Sequence, residues 1–243
     1  MTRAVTSSSP SSRAGERALP TESEVGRLLL AASERAPTGV RNRALIALLY
    51  CTGLRLEEAL ALAADGIDLE RGTVAVRGRR ARHAHLFAAA QPWIETWIAV
   101  REGLELRRSA PLLCTLRGEP LEPAYVRAML GRLGRRAGLG KRIHAHGLRH
   151  AFTLRSALAD VDREELCAQL GHRDARSLAR VLREHGIGPA RGTRGLAQVA
   201  WTLAPSPGAV RALVRLAPRE RESASAAITA AGVLVRRWRP DEL

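Results

Sequence analysis

The spacing of apolar residues along the chain predicts a protein built mainly of helices. From residue 20 to residue 185, apolar positions recur at intervals of three and four, the pattern of helices that bury one face. At the first helix, Thr21 is a predicted N-cap with Glu24 three residues later, the arrangement of a capping box. The segment "VRNRALIALLYCTGLR" is apolar enough for a buried helix and ends at Gly53. Further helices are predicted in "QPWIETWIAVREGLEL", "EPAYVRAMLGRLGRRAGLG", "HAHGLRHAFTLRSALAD", "DREELCAQLG" and "DARSLARVLREHG".

One stretch follows a different period. "GTVAVRGRRARHAHLF" predicts a strand, a basic turn around Gly78 to Arg80, and a returning strand. Before it, "RLEEALALAADGIDLE" predicts a helix that closes at Asp65-Gly66, and "APLLCTLRGEPL" predicts a short strand. The expected fold class is therefore mainly α with a small antiparallel β-sheet or hairpin.

The composition divides the chain into four parts. Residues 1–19 are small and polar without periodicity, which predicts a disordered tail. Residues 20–185 form the predicted domain, and residues 186–195, "GIGPARGTRG", form a predicted linker. Residues 196–243 contain two candidate helices, "SPGAVRALVRLA" and "SASAAITAAGVLVRRW", and form a predicted helical extension.

The charge of the chain favours a polyanionic partner. With 39 Lys and Arg against 24 Asp and Glu, the formal net charge is +15. Neutralising phosphates releases their counterions, so nucleic acid is the simplest use of such an excess. A generally basic surface with no dedicated partner is the alternative at this point.

Other features exclude several classes of protein. Cys51, Cys114 and Cys167 are widely spaced in apolar surroundings, which fits a reducing cytosol and no disulfide framework. The N-terminal residues lack the apolar core of a signal peptide, and no apolar run approaches the ~20 residues of a membrane span. We expect a cytoplasmic protein with no membrane association and no cofactor.

Three separated segments and the hairpin between the first two carry a family resemblance. "CTGLRLEEALAL", "HAHGLRHAF" and "LGHRDARSLARVL" occur in an order and spacing that resemble the catalytic domain of the tyrosine recombinases, or phage integrases. The resemblance covers residues 19 to 185. It implies the fold of that domain and a site that acts on a DNA phosphodiester.

The resemblance assigns roles to basic side chains. Arg55 and Arg149 would be two phosphate clamps, since a planar guanidinium holds two oxygens at once and keeps its charge. His146 would hydrogen-bond the phosphate from the same helix face as Arg149, and His172 would contact phosphate or handle a proton. Glu58 would orient Arg55 or lie on the helix surface.

Each of these residues also has an ordinary structural interpretation. Arg55 alone would be a helix-end surface charge, His172 a helix terminus, and His146 a core histidine. His150 is expected to support the fold. A zinc site from His144, His146 and His150 is a further alternative, although their spacing matches no familiar ligand pattern.

The sequence departs from the family at two chemical positions. Arg80 occupies the hairpin position of the lysine that protonates the leaving oxygen, and an arginine is a poor general acid. Val181, nine residues after His172, occupies the position of the nucleophilic tyrosine and has no hydroxyl. Arg77, Arg79 and Arg82 beside Arg80 predict a basic finger that grips DNA.

No other residue is expected to replace the missing nucleophile. Tyr50 lies on an apolar helix, Tyr125 lies a whole helix before His146, and Ser177 is one turn too early. We therefore expect a DNA-binding protein that does not cut and rejoin strands.

Several alternatives stay open at this point. The anion pocket could serve a repurposed enzyme acting on a small phosphate or carboxylate, or the chain could be an eroded element. Family members usually have an N-terminal helical domain that closes around DNA, and about 20 residues precede the domain here, so weak selectivity is expected. By resemblance, the segment after residue 195 would join a homo-oligomer or an active recombinase, or else pack on its own domain.

Overall fold

The computed structural model describes residues 19–172, 174–188, 192–201 and 203. Within them the chain is mainly helical with one small antiparallel sheet, which confirms the predicted fold class. The helices are α1 (Glu22–Ala31), α2 (Pro37–Thr52), α3 (Leu56–Leu60), α4 (Gln91–Glu102), α5 (Pro123–Arg136), α6 (Ala145–Leu158), α7 (Arg163–Leu170) and α8 (Ala175–Glu184). The strands are β1 (Ile67–Asp68), β2 (Thr73–Val76) and β3 (Arg82–His85).

Local capping follows the sequence closely at α1 and α2. The Thr21 hydroxyl accepts from the Glu24 N–H, and the Glu24 carboxylate accepts from the Thr21 N–H at 2.7 Å, the predicted capping box. Helix α2 ends at Gly53, whose φ of 65° is left-handed. An added Cβ at Gly53 would also lie 2.5 Å from Cδ1 of Phe152. Conformation and space therefore both favour glycine where α2 turns toward Arg55.

Helix α2 is the centre of the core. Almost all of its residues are buried, and α4 and α6 pack against it. From α4, Trp93 and Trp97 are buried, and the Trp97 indole N–H donates to the Leu112 carbonyl at 2.7 Å. A central helix covered on several sides carries no amphipathic stripe, which explains its nearly continuous apolar sequence.

Two predicted elements are wrong in extent. Helix α3 ends at Leu60 and does not reach Asp65. Just after the helix the chain pairs with residues 111 and 112, and the Leu62 carbonyl accepts from the Leu112 N–H at 2.7 Å. The predicted strand in "APLLCTLRGEPL" is only a pair of isolated bridges. The hairpin is present as β2 and β3, and β1 adds a third antiparallel strand to β2.

The packed core extends past residue 185. Asp162 N–H donates to the Arg194 carbonyl at 2.8 Å, which lays residues 192–201 against the loop between α6 and α7. Trp201 then enters an aromatic cluster, stacked on Phe152 at 5.1 Å and near Phe87 at 4.8 Å between ring centroids. These residues therefore pack on their own domain. Residues 1–18 of the predicted tail 1–19 and the candidate helices after residue 203 lie outside the described residues.

None of the helices in the described ranges is both long enough and apolar enough to cross a membrane.

Trp201→Ala should lower the free energy of unfolding by about 3–5 kcal/mol, because it empties a buried aromatic site. Chemical denaturation would measure the change, with Trp201→Phe expected to cost less. Leu158→Ala is the control, since Leu158 is 73% exposed. Equal denaturation midpoints for Trp201→Ala and the control would contradict the packing of this segment.

Candidate phosphate-binding site

The residues that the sequence singled out converge on one cleft of about 650 Å³. Its walls include every predicted catalytic position: Arg55, Arg80, His146, Arg149, His172 and Val181. Arg127 of α5 and Arg180 of α8 also line the cleft, and neither was predicted from the sequence. Both lie on regular helices with other arginines nearby, so nothing in the sequence distinguished them.

Short connections and helix ends bring these side chains together. Arg55 is the N-cap of α3, directly after the turn at Gly53. His146 and Arg149 lie in the first turns of α6, and His172 follows Gly171, the left-handed cap of α7. The cleft therefore forms where the ends of separate helices meet the β2–β3 hairpin.

Arg149 is the buried anchor of the site. Its side chain donates to the carbonyl of Gly53, to the carbonyl of Leu170 at 2.8 Å and to Nε2 of His172 at 3.1 Å. These contacts use three of the five N–H donors of a guanidinium. Burial, and then the neighbouring Arg55, lower the pKa of Arg149 to about 9. An anion in the cleft would offset the repulsion from Arg55 and favour the charged guanidinium.

His172 is a neutral neighbour of this anchor. Because an arginine only donates, Nε2 of His172 accepts from Arg149, and the ring proton is assigned to Nδ1. Nδ1 is buried and has no hydrogen-bond partner among the residues that the structure describes. Burial, and then Arg149, lower the pKa of His172 to about 4. The imidazole is therefore uncharged at neutral pH.

Glu58 organises the arginines around it. Its carboxylate accepts from the Arg55 N–H at 2.9 Å and from Arg55 Nη1 at 3.0 Å, and from both terminal nitrogens of Arg82 at 3.0 Å. Burial alone would raise the pKa of Glu58, but the hydrogen bonds from Arg82 and Arg55 lower it to about 2. Of the two interpretations left open for Glu58, the structure supports the one in which Glu58 orients Arg55.

The predicted basic finger needs one correction. Arg82 does not belong to it, because its side chain is only 11% exposed and binds Glu58 and the Gln169 carbonyl. Arg77 and Arg79 are exposed on the hairpin, and Arg77 lies 3.6 Å from Asp65. Arg80 reaches back over the cleft and donates to the Gly171 carbonyl at 2.6 Å.

Neither tyrosine of the chain lines the cleft. The Tyr50 hydroxyl is buried and accepts from Arg155 at 3.2 Å, while the Tyr125 hydroxyl accepts from Arg41 at 2.6 Å. Ser177 does line the cleft, and its hydroxyl lies 3.4 Å from the Asp174 carboxylate. Val181 stands on the cleft wall from α8.

Histidines form a second cluster along the cleft. The rings of His146 and His150 are 4.0 Å apart between centroids, and His185 is 5.8 Å from His150. His144 is the N-cap of α6 and accepts from the Gly147 N–H through Nδ1. Among the described residues, no group of three or more His, Cys, Asp or Glu side chains could hold a metal ion. The zinc alternative therefore receives no support.

The histidine cluster predicts a loss of stability in mild acid. Burial, and then His146, lower the pKa of His150 to about 4, so between pH 6.5 and 4 the unfolded chain binds protons that the folded protein does not. Stability should fall as the pH drops through this window. His150→Gln should flatten the fall in thermal midpoint, whereas the exposed His83→Gln should not. Parallel profiles for all three proteins would contradict this origin.

Comparison with known proteins agrees with the fold. Residues 20–183 match the model of the phage integrase family. The chain is 34% identical over 140 residues to the tyrosine recombinase XerC of Xylella fastidiosa (strain M23), covering 57% of this chain and 47% of that protein. It is 34% identical over 160 residues to XerC 2 of Ralstonia nicotianae, covering 64% and 46%. The chain thus spans about half the length of these curated relatives.

Solved structures show the same fold. The crystal structure of XerA recombinase superposes with a TM-score of 0.62 at 22% identity, covering 73% of this chain and 65% of that one. XerH site-specific recombinase bound to palindromic difH substrate, in a post-cleavage complex, superposes with a TM-score of 0.58 at 28% identity, covering 69% and 50%. With the family model matched across residues 20–183, the chain belongs to the phage integrase family, the tyrosine recombinases.

Proposed function

We propose that this protein binds the phosphate backbone of DNA in the cleft and does not cleave and rejoin the strands. The observation that carries the proposal is the composition of the cleft wall. Arg55, Arg80, His146, Arg149 and His172 are gathered there, while the wall position on α8 is Val181. The cationic half of a strand-transfer site is present without its nucleophile.

The electrostatics of the cleft support an anionic ligand. Four arginines form one hydrogen-bonded network at the cleft. Arg55 and Arg82 donate to the Glu58 carboxylate, Arg55 and Arg149 donate to the Leu170 carbonyl, and Arg80 donates to the Gly171 carbonyl. Glu58 is the acidic side chain of this network. Partly buried guanidinium groups bind phosphate more strongly than exposed ones, because less water competes for their donors. Although burial lowers the pKa of Arg149, the value of about 9 is still above neutral pH, so its guanidinium is positively charged before a ligand arrives.

The relatives of the chain favour DNA as the source of the bound phosphate. The structural neighbours include XerH bound to difH substrate and a lambda integrase dimer bound to a core site. DNA presents a row of phosphates, and a second pocket, which shares Arg127 with the cleft, is lined by the further basic residues Arg132, Arg135 and Arg142. A small phosphate ester would use only the inner cleft.

The absence of strand cleavage follows from the side chains available. A covalent intermediate needs a hydroxyl or comparable nucleophile facing the phosphorus, and Val181 supplies none. Arg80 keeps the charge of the hairpin position but does not release a proton at neutral pH. Neither of the two tyrosines can substitute, because each is fixed elsewhere by an arginine.

Arg55→Gln/Arg80→Gln should weaken DNA binding and reduce its salt dependence, with the slope of log K against log salt falling by about 2 in magnitude. Both residues line the cleft and neither is fully buried, and buried Arg149 is left intact to preserve the fold. Fluorescence anisotropy of a labelled duplex at rising salt would measure the change.

Arg107→Gln/Arg108→Gln is the matched control. It removes the same charge from exposed positions that do not line the cleft. Equal effects of the two double variants would reduce DNA contact to the general basic surface. No binding by the wild type would redirect the search to small phosphate or carboxylate ligands of the same cleft.

The wild-type protein should form no covalent adduct with nicked duplex DNA, because the cleft offers phosphorus no hydroxyl from position 181. The double variant Val181→Tyr/Arg80→Lys supplies a phenol and a proton donor, and it is expected to form an adduct. Denaturing gels of labelled DNA would reveal either. An adduct formed by the wild type would contradict the proposal.

A further inference from the structure

Arg82 occupies an unusual position for an arginine beside a phosphate-binding cleft. It begins β3, yet its side chain is 11% exposed while that of Arg55 is 32% exposed. Its Nε donates to the Gln169 carbonyl at 2.9 Å, and Nη1 donates to the Arg80 carbonyl at 3.1 Å. Because both terminal nitrogens also donate to the Glu58 carboxylate, few donors of the guanidinium remain for a ligand.

Gly171 makes room for this arrangement. A Cβ at Gly171 would lie 2.9 Å from Nη1 of Arg82 and 3.0 Å from its Cζ. The guanidinium therefore lies directly against the loop that carries His172. Through these contacts Arg82 joins the hairpin, the C-terminal end of α7 and Glu58 of α3 into one unit.

Glu58 connects Arg82 to Arg55. One carboxylate oxygen accepts from Arg55 Nη1 and Arg82 Nη1, and the other accepts from the Arg55 N–H and Arg82 Nη2. A carboxylate this deeply placed carries a full charge, and without Arg82 that charge would be balanced by Arg55 alone. The carboxylate would then offset the charge of Arg55, whose Nη1 already lies 3.0 Å from it, and the cleft would present less positive potential to a phosphate.

We propose that Arg82 is a positioning residue: it neutralises Glu58 and thereby leaves the outer edge of Arg55 free to bind a DNA phosphate. The inference rests on the phosphate-binding function proposed above. It assigns to Arg82 an action through Glu58 and Arg55, with no contact of its own to DNA. It also predicts that the loss of DNA affinity on substitution of Arg82 depends on the presence of Glu58.

A double-mutant cycle tests this dependence. DNA affinity would be measured by anisotropy at low salt for the wild type, Arg82→Gln, Glu58→Gln and the double variant. Arg82→Gln should bind at least about tenfold more weakly, the size of one lost charge-assisted contact. The double variant should recover to within about threefold of the wild type, because no uncompensated carboxylate remains.

A thermal melt of each variant separates binding from folding. A purely structural role would lower the thermal midpoint of Arg82→Gln without changing the affinity of the folded protein. Arg82→Lys keeps the charge that neutralises Glu58, so it should bind within about threefold of the wild type even where Arg82→Gln is too unstable to measure. Arg71→Gln is the control, since Arg71 forms an exposed pair with Asp68 outside the cleft.

The outcomes distinguish this inference from the function on which it rests. A double variant as weak as Arg82→Gln, or a full loss of binding in Arg82→Lys, would overturn the positioning role. Binding that is unchanged in Arg82→Gln would also overturn it. If Arg55→Gln leaves DNA binding unchanged, the proposed function itself fails; if Arg55→Gln weakens binding and Arg82→Gln does not, only the positioning role fails.

Discussion

Guanidinium groups repel one another, so a fold that holds Arg55 and Arg149 in the cleft, with Arg82 behind them, needs fixed negative partners. Two kinds are present. Glu58 supplies a full charge between Arg55 and Arg82. The C-terminal ends of α2 and α7 supply carbonyls: Gly53 accepts from Arg149, and Leu170 accepts from both Arg55 and Arg149. Such carbonyls carry the negative end of the helix dipole and lack partners within the helix. The fold therefore sets the position of each cation before a ligand arrives.

This arrangement separates the binding of phosphate from the breaking of its bond. Helix α8 packs through Leu178 and Leu182, which are buried, while position 181 faces the cleft. A tyrosine at 181 is therefore not required for the packing of α8. The arginines depend on Glu58 and the helix ends and make no contact that requires a nucleophile. Under the proposed function, this chain keeps the anion site without a nucleophile at position 181.

The sequence predicted the cleft better than it predicted the connections behind it. The three segments with Arg55, Arg149 and His172 could be placed together because their chemistry and order match a known site. The assignment of Arg82 to the basic finger was wrong, since its sequence neighbours are other arginines and only the fold shows that it points inward to Glu58. Helix α3 is shorter than predicted because the chain just after it, at Leu62, pairs with Leu112, a residue far away in the sequence. Trp201 follows a Gly- and Arg-rich stretch, and nothing local reveals the aromatic cavity that receives it.

The most direct test of this account is a crystal structure of the protein with duplex DNA. The account predicts a backbone phosphate within hydrogen-bonding distance of Arg55 and Arg149, with Arg82 still on Glu58, Val181 beside the phosphate, and the phosphodiester bond intact. DNA bound to another face of the protein, or a phosphate joined covalently to any side chain, would contradict it.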